Sequence, residues 1–156
     1  MRKYLFLLTV LAGMATTAKS QVFVGGTGGI GISDVFSMEL KPMVGYQFND
    51  RWAIGAGVGM GLLDREISGI LDPFVRFNCW NNGKVHFDLK ARSEIWFGDI
   101  SAMKVGIVPS LRVKLNDKWQ LAGDIGLVGA QYANEDWTPA ILVTGGNVEL
   151  TVVYSF

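Results

Sequence analysis

Residues 147–156 read Asn147-Val148-Glu149-Leu150-Thr151-Val152-Val153-Tyr154-Ser155-Phe156, alternating apolar with polar until the chain stops on an aromatic. Side chains in a strand switch faces at every residue. Val148, Leu150, Val152, Tyr154 and Phe156 therefore share one face, and Asn147, Glu149, Thr151 and Ser155 the other; Val153 alone breaks the pattern. An apolar face opposite one carrying Asn and Glu suits a closed sheet with hydrocarbon outside and polar groups within.

The same two-residue period runs upstream. In 85–97, Val85, Phe87, Leu89, Ala91, Ile95 and Phe97 alternate with His86, Asp88, Lys90, Arg92, Glu94 and Trp96. In 103–115, Met103, Val105, Ile107, Leu111 and Val113 oppose Lys104, Ser110, Arg112 and Lys114. In 36–48, Met38, Leu40, Val44, Tyr46 and Phe48 oppose Ser37, Glu39, Lys41 and Gln47. A water-soluble antiparallel sheet alternates too, so the choice of solvent rests on other features.

One is the N-terminus, where Arg2 and Lys3 precede an apolar run from Tyr4 to Ala12 and small residues around Ala18-Lys19-Ser20. This is the layout of a secretory signal peptide over 1–20, with cleavage expected after Ser20. The processed domain is then 21–156, or 136 of the 156 residues. Removing Arg2, Lys3 and Lys19 leaves eleven basic side chains against fourteen acidic ones. That balance offers no basic patch, and no nucleic acid is expected as partner. No later segment is apolar for the roughly 18 residues a spanning helix needs. The single cysteine, Cys79, excludes an internal disulfide, and none at the cleavage site could hold a lipid anchor.

Three turn signals punctuate the domain: Asn49-Asp50-Arg51-Trp52, Asn81-Asn82-Gly83-Lys84 and Asn116-Asp117-Lys118-Trp119, with steps of 33 and 34 residues from Asn49 to Asn82 to Asn116. Asn-Gly between alternating runs is a strong hairpin signal. Pro42, Pro73 and Pro109 each precede a turn by seven to nine residues. Proline removes a ladder donor, so local bulges are expected at all three. The spacing predicts eight strands at 22–32, 36–48, 52–62, 70–79, 85–97, 103–115, 119–131 and 140–156, joined on the far side by short loops near 33–35, 63–69, 98–102 and 132–139. An even count places both termini and the three tight turns at one end. Strands of ten to thirteen residues suit a tilted membrane crossing. Aromatics cluster at strand ends: Tyr46, Phe48, Trp52, Phe77, Trp80, Trp119, Tyr154 and Phe156 at the turn end, Phe36, Phe97, Tyr132 and Trp137 at the other. Two such girdles match the two bilayer interfaces.

The interior of an eight-stranded barrel has room for side chains and little else. Ala53, Gly55, Gly57, Gly59 and Gly61 make the inward face of the third strand small, so long side chains opposite have somewhere to lie. The alternation predicts a lumen charge network of Glu39, Lys41, Arg76, His86, Asp88, Lys90, Arg92, Glu94, Lys104, Arg112, Lys114, Asp124 and Glu149.

Gly26-Thr27-Gly28-Gly29-Ile30-Gly31 matches the dinucleotide fingerprint, but no amphipathic helix follows it, and close packing explains it better. His86 is the only histidine, which excludes a site of several imidazoles. His86, Asp88 and Glu94 with Ser93 or Ser110 could imitate acid–base machinery, yet Ser93 falls in phase with the outward set. No catalytic residue, cofactor or metal site is expected.

The chain resembles the small eight-stranded outer-membrane β-barrel family, of the OmpA transmembrane-domain and OmpX type, through Val148, Leu150, Val152, Tyr154 and Phe156 and the Pro-to-turn-to-Trp units. The resemblance implies an all-β, antiparallel, up-and-down transmembrane barrel in the bacterial outer membrane. It also implies that Tyr154 and Phe156 form an assembly signal read by the barrel-assembly machinery. It implies no peptidoglycan-binding domain, and without long protruding strands an adhesin role is not expected. The expected role is non-enzymatic, structural or interacting through the short loops with a surface partner, in contact with outer-membrane lipid. The competing role is a narrow pore or a small lipid-acting enzyme.

Overall fold

The computed structural model describes residues 21–32, 36–63, 66–98, 101–133, 136–143 and 147–156; the expected leader over 1–20 lies outside them. Ten strand segments follow in chain order: β1 (Gln21–Ile32), β2 (Phe36–Gln47), β3 (Trp52–Leu63), β4 (Glu66–Asn81), β5 (Val85–Gly98), β6 (Ala102–Lys114), β7 (Trp119–Asp124), β8 (Gly126–Ala133), β9 (Asp136–Val143) and β10 (Asn147–Ser155). Neighbours pair antiparallel from β1 through β6. β6 pairs β7 along one half and β8 along the other. β10 pairs both β7 and β1, which closes the sheet. Segments β7 and β8 make the seventh barrel strand, β9 and β10 the eighth. The protein is an all-β, closed, eight-stranded antiparallel barrel.

The three tight turns use one device. The Asn49 side-chain oxygen accepts the Arg51 and Trp52 amides at 2.8 and 2.9 Å. Asn82 does the same for Lys84 and Val85 at 3.3 and 2.9 Å, and Asn116 for Lys118 and Trp119 at 2.9 and 2.8 Å. An Asn oxygen that takes the amides two and three residues on fixes a turn locally. This is why the Asn spacing was readable.

The prolines correct an expectation. At Pro42 and Pro73 the register continues unchanged on both sides: the ladder omits two pairs at each, those of Lys41 and Pro42 toward β3 and of Asp72 and Pro73 toward β5, and then resumes in phase. Interrupting the ladder where the N–H is missing costs less than moving the register. Bulges occur elsewhere. One lies between Asn78 and Trp80, against β5. The other is on the strand facing Pro109, where Ile125 donates its amide to the Pro109 carbonyl at 2.8 Å. There the pairing shifts from Ser110↔Asp124 to Ile107↔Val128, one residue out of step. Gly126, at φ 129°, absorbs the kink in a backbone region that L side chains rarely adopt.

Other boundaries also move. β4 begins at Glu66, so the expected loop over 63–69 contracts to a short connection, and the eighth strand begins at Asp136 and is split between β9 and β10.

Among the described residues the outward face is mainly apolar: Val22, Val24 and Ile30 on β1, Met38, Leu40 and Val44 on β2, Ile54, Val58 and Met60 on β3, and Leu150 and Val152 on β10 are all exposed. Inward positions bury Lys41, Asp72, Arg76, Asp88, Arg92, Glu94 and Arg112. The barrel is thus polar inside and oily outside, the inverse of a water-soluble sheet protein. At the turn end the aromatics touch in pairs, Trp52 with Phe77, Trp119 with Tyr154, Tyr154 with Phe156 and Tyr46 with Phe48, at centroid distances of 4.7 to 5.2 Å. Tyr132 and Trp137 pair at the loop end, 5.2 Å apart. The Phe36 side chain lies outside the described residues.

Candidate functional site

The lumen holds two polar clusters instead of one continuous network. The first centres on Arg92 and Lys41. Arg92 grips Asp72 with two bonds, Nε to Oδ1 at 3.1 Å and Nη2 to Oδ2 at 2.7 Å, and also reaches Glu94 at 2.5 Å and Glu149 at 2.8 Å. Lys41 Nζ lies 3.0 Å from Glu39, 3.2 Å from Glu94, 3.5 Å from Asp72 and 3.6 Å from Glu149. Lys90 pairs with Asp124 at 2.5 Å. Lys104 closes the set from the rim, 3.5 Å from Glu94 and 5.4 Å over the Trp96 ring. Trp96 itself donates Nε1–H to Glu94 at 2.6 Å.

Burying this many charges is costly unless each finds partners, and the desolvation penalty for one stranded ion is several kcal/mol. Sharing resolves it. Arg92 serves four carboxylates and Lys41 four, so ordering one side chain satisfies several others at once. Glu39, Glu94 and Glu149 bring carboxylate oxygens within 4.8 Å of one another, a spacing that would suit a cation. The Lys41 ammonium sits within 3.6 Å of all three. The protein's own cation meets the demand, and the donor set does not fit a further metal.

The second cluster lies toward the tight turns. Arg112 holds Asp88 through Nε at 2.7 Å and Nη2 at 3.3 Å, and donates Nη1–H to Gln120 at 2.6 Å. Asn78 donates to Asp88 at 2.6 Å and faces His86 Nδ1 at 3.4 Å. Arg76 reaches only Gln47, at 3.5 Å, and the Phe23 ring, 5.2 Å from its centroid.

An apolar plug lies between the two, except where Arg76 of the second directly opposes Lys90 of the first across β4 and β5. Phe23, Ala53, Phe74 and Val153 are buried together with Met43 against them. Phe74 touches the first cluster and Phe23 lies under Arg76, so the plug contacts both. Val153, the one residue out of pattern in the closing strand, points inward here. The small residues of β3 make the plug possible: a Cβ on Gly55 would stand 2.6 Å from the Phe74 ring tip and 2.8 Å from the Val44 carbonyl. Beside the plug, Thr27 and Thr151 hydroxyls bond at 2.8 Å. The void lined by Lys41, Met43, Asp72, Phe74 and Arg92 is about 20 Å³, near the minimum for one water.

Glu39, Lys41, Lys90, Arg92, Glu94, Lys104, Asp124 and Glu149 thus meet in the first cluster, and His86, Asp88 and Arg112 in the second. Arg76 borders the second with no carboxylate within ion-pair distance among the described residues. Lys114 is exposed at the turn end. Asp72, Asn78 and Gln120 are additions to the expected lumen set, although Asp72, Phe74, Arg76 and Asn78 share one strand parity that marks them as inward; Gln47 lies on the polar face expected of it. Ser110 donates to the Gly123 carbonyl at 3.3 Å, and Ser93 shares the outward face with Ala91.

No protein-family model matches the chain, including any of the OmpA and OmpX type, and no curated protein matches it. Several solved structures share its fold. One, described as "De novo design of transmembrane beta-barrels", superimposes with a TM-score of 0.58 at 10% identity, over 90% of this chain and 98% of that one. Another, the solution NMR structure of the de novo designed TMB2.3, gives 0.55 at 9% identity, over 89% and 96%. At such identities the likeness is one of fold: a closed barrel like those designed to cross membranes.

Proposed function

We propose that this protein is a small structural or surface-interacting barrel of the bacterial outer membrane, exported with a cleaved leader and devoid of enzymatic activity. The observation that carries this reading is the pairing of an oily exterior with a filled interior. Exposed Leu, Val, Ile and Met on every wall would precipitate in water but match hydrocarbon. Inside, shared ion pairs and the apolar plug pack around Phe74, where the void beside Lys41 and Arg92 is about 20 Å³, room for about one water. The burial of Phe23, Phe74 and Val153 together supports a lumen without a continuous aqueous path. Contact with the surroundings is left to outer-membrane lipid and to the loops, with Tyr154 and Phe156 offered to the assembly machinery during insertion.

The test combines two measurements on the purified chain folded in lipid. Electrophoresis without boiling is expected to show a band that shifts on heating, as a closed barrel unfolds. Planar-bilayer recording of the same preparation is expected to show no steady open channel. Sustained ohmic conductance would defeat the plugged-lumen reading, and a chain soluble without detergent would defeat the membrane one.

A further inference from the structure

At the turn-side mouth, between β4, β5 and β6, positive charge gathers on Lys84, Lys114, Arg112 and Arg76, with the single Asp88 carboxylate among them. Lys114 donates its backbone amide to the Lys84 carbonyl at 2.8 Å, one step beyond the Val85↔Val113 pair, so two lysines stand opposite each other across β5 and β6. Like charges directly opposed destabilise a sheet. Both are exposed, and among the described residues neither has a carboxylate within ion-pair distance. One step further in, His86 pairs with Arg112. Asp88, the carboxylate facing this mouth, is taken up by Arg112 and Asn78. Arg76 is 7% exposed and, among the described residues, is held by Gln47 and the Phe23 ring with no carboxylate at ion-pair distance.

His86 supplies the decisive detail. His86 is 6% exposed and its Nε2 has no partner among the described residues. Its Nδ1 faces the Asn78 amide nitrogen at 3.4 Å. Facing a donor, Nδ1 accepts; the neutral ring then carries its hydrogen on Nε2. A buried N–H donor without an acceptor calls for an explanation. Arg76, Arg112, Lys114 and Asp88 all lie within electrostatic range of this ring. An unmet donor, an unpaired guanidinium and two opposed ammonium groups thus ask for the same thing: an anion with several acceptor oxygens.

We propose that this mouth is a binding site for a phosphate-type group, with Lys84 and Lys114 at its rim and His86 Nε2–H and Arg76 beneath. A tetrahedral oxyanion can accept from donors arriving from different strands, which a planar carboxylate does less well. The group belongs either to an anionic phospholipid of the surrounding leaflet or to free phosphate. Exposed Trp80 places the rim beside the aromatic girdle, at headgroup height. The proposal rests on the membrane reading above for its lipid source, but not for the site itself.

Because His86 is the only histidine, its ring resonances report on the site without ambiguity. The barrel is folded in phosphatidylcholine nanodiscs and titrated with inorganic phosphate, against chloride at equal ionic strength. A second sample contains phosphatidylglycerol. If free phosphate binds, the ring signals move saturably in the first sample. If the headgroup binds, they are displaced in the second sample before any addition and respond little to phosphate. Lys84→Gln and Lys114→Gln, which remove exposed and unpaired charges, are each expected to weaken the response about fivefold. Ring signals that stay fixed in both samples, with the heat-shifted band present, overturn the site. A chain that gives no such band defeats the membrane reading instead, and phosphate titration of the soluble chain then decides the site alone.

Discussion

Arg92 shows how one residue can determine whether a buried charge cluster is tolerable. It contacts Asp72, Glu94, Glu149 and, at 3.6 Å, Asp124. Replacing it with Met leaves those carboxylates sharing Lys41 and Lys90. Breaking a buried pair by removing one partner costs about 3–5 kcal/mol, so Arg92→Met is expected to lower unfolding free energy in lipid vesicles by about that much. Lys104 makes one 3.5 Å contact from a quarter-exposed side chain, and Lys104→Met is expected to cost at most about 1 kcal/mol. Urea titration of both variants checks the ranking; equal effects would mean that the cluster is not held through Arg92. Parity alone marks Arg92 as inward. Asp72 shares the parity of Arg76 and is inward by the same reasoning, but its pairing with Arg92 joins two strands and is not a property of either alone.

Along an element, register decides which side chains meet, and the seventh strand shows where a local pattern loses its hold. Before Ile125 the inward set is Gln120, Ala122 and Asp124; after Gly126 it is Leu127, Gly129 and Gln131. Ile125 is therefore an extra residue whose deletion returns β8 to the register of β7 while keeping Leu127 inward. Deleting Ile125 is expected to preserve the heat-shifted folded band. Inserting one alanine after Gly57 in β3, where the ladder with β4 runs unbroken, inverts every later side chain of that strand and is expected to abolish it. Equal behaviour of the two variants on unboiled gels would sink the bulge account. The turn asparagines were readable because each acts within three residues. The bulge was not, because its cause is the Pro109 carbonyl on another strand.

For the whole molecule, the wall facing outward sets the solvent. Val58 lies midway along β3 and is 56% exposed. If that wall meets hydrocarbon, Val58→Arg is expected to cost about 2–4 kcal/mol in vesicles. A neutral effect in the same urea titration would place this face in water. The polarity of the two sides, the eightfold strand count and the tight-turn end were all legible from the sequence, because a two-residue period survives any arrangement of neighbouring strands. The division of the lumen was not. The sequence supplies charges of both signs on inward positions, but a strand's own pattern says nothing about which rung of its neighbour it meets.

Val153 marks the boundary between the two kinds of knowledge. By itself the closing strand determined that the chain alternates, where it turns and which face is apolar, since each of those is a property of residues a few positions apart. That Val153 is no error, but joins Phe23, Ala53 and Phe74 from three other strands in an apolar plug between two ion clusters, was decided only when the closed sheet fixed the stagger of its strands. Those contacts join residues as far apart as Phe23 and Val153, and their register comes from ladder pairing and bulges around the whole barrel.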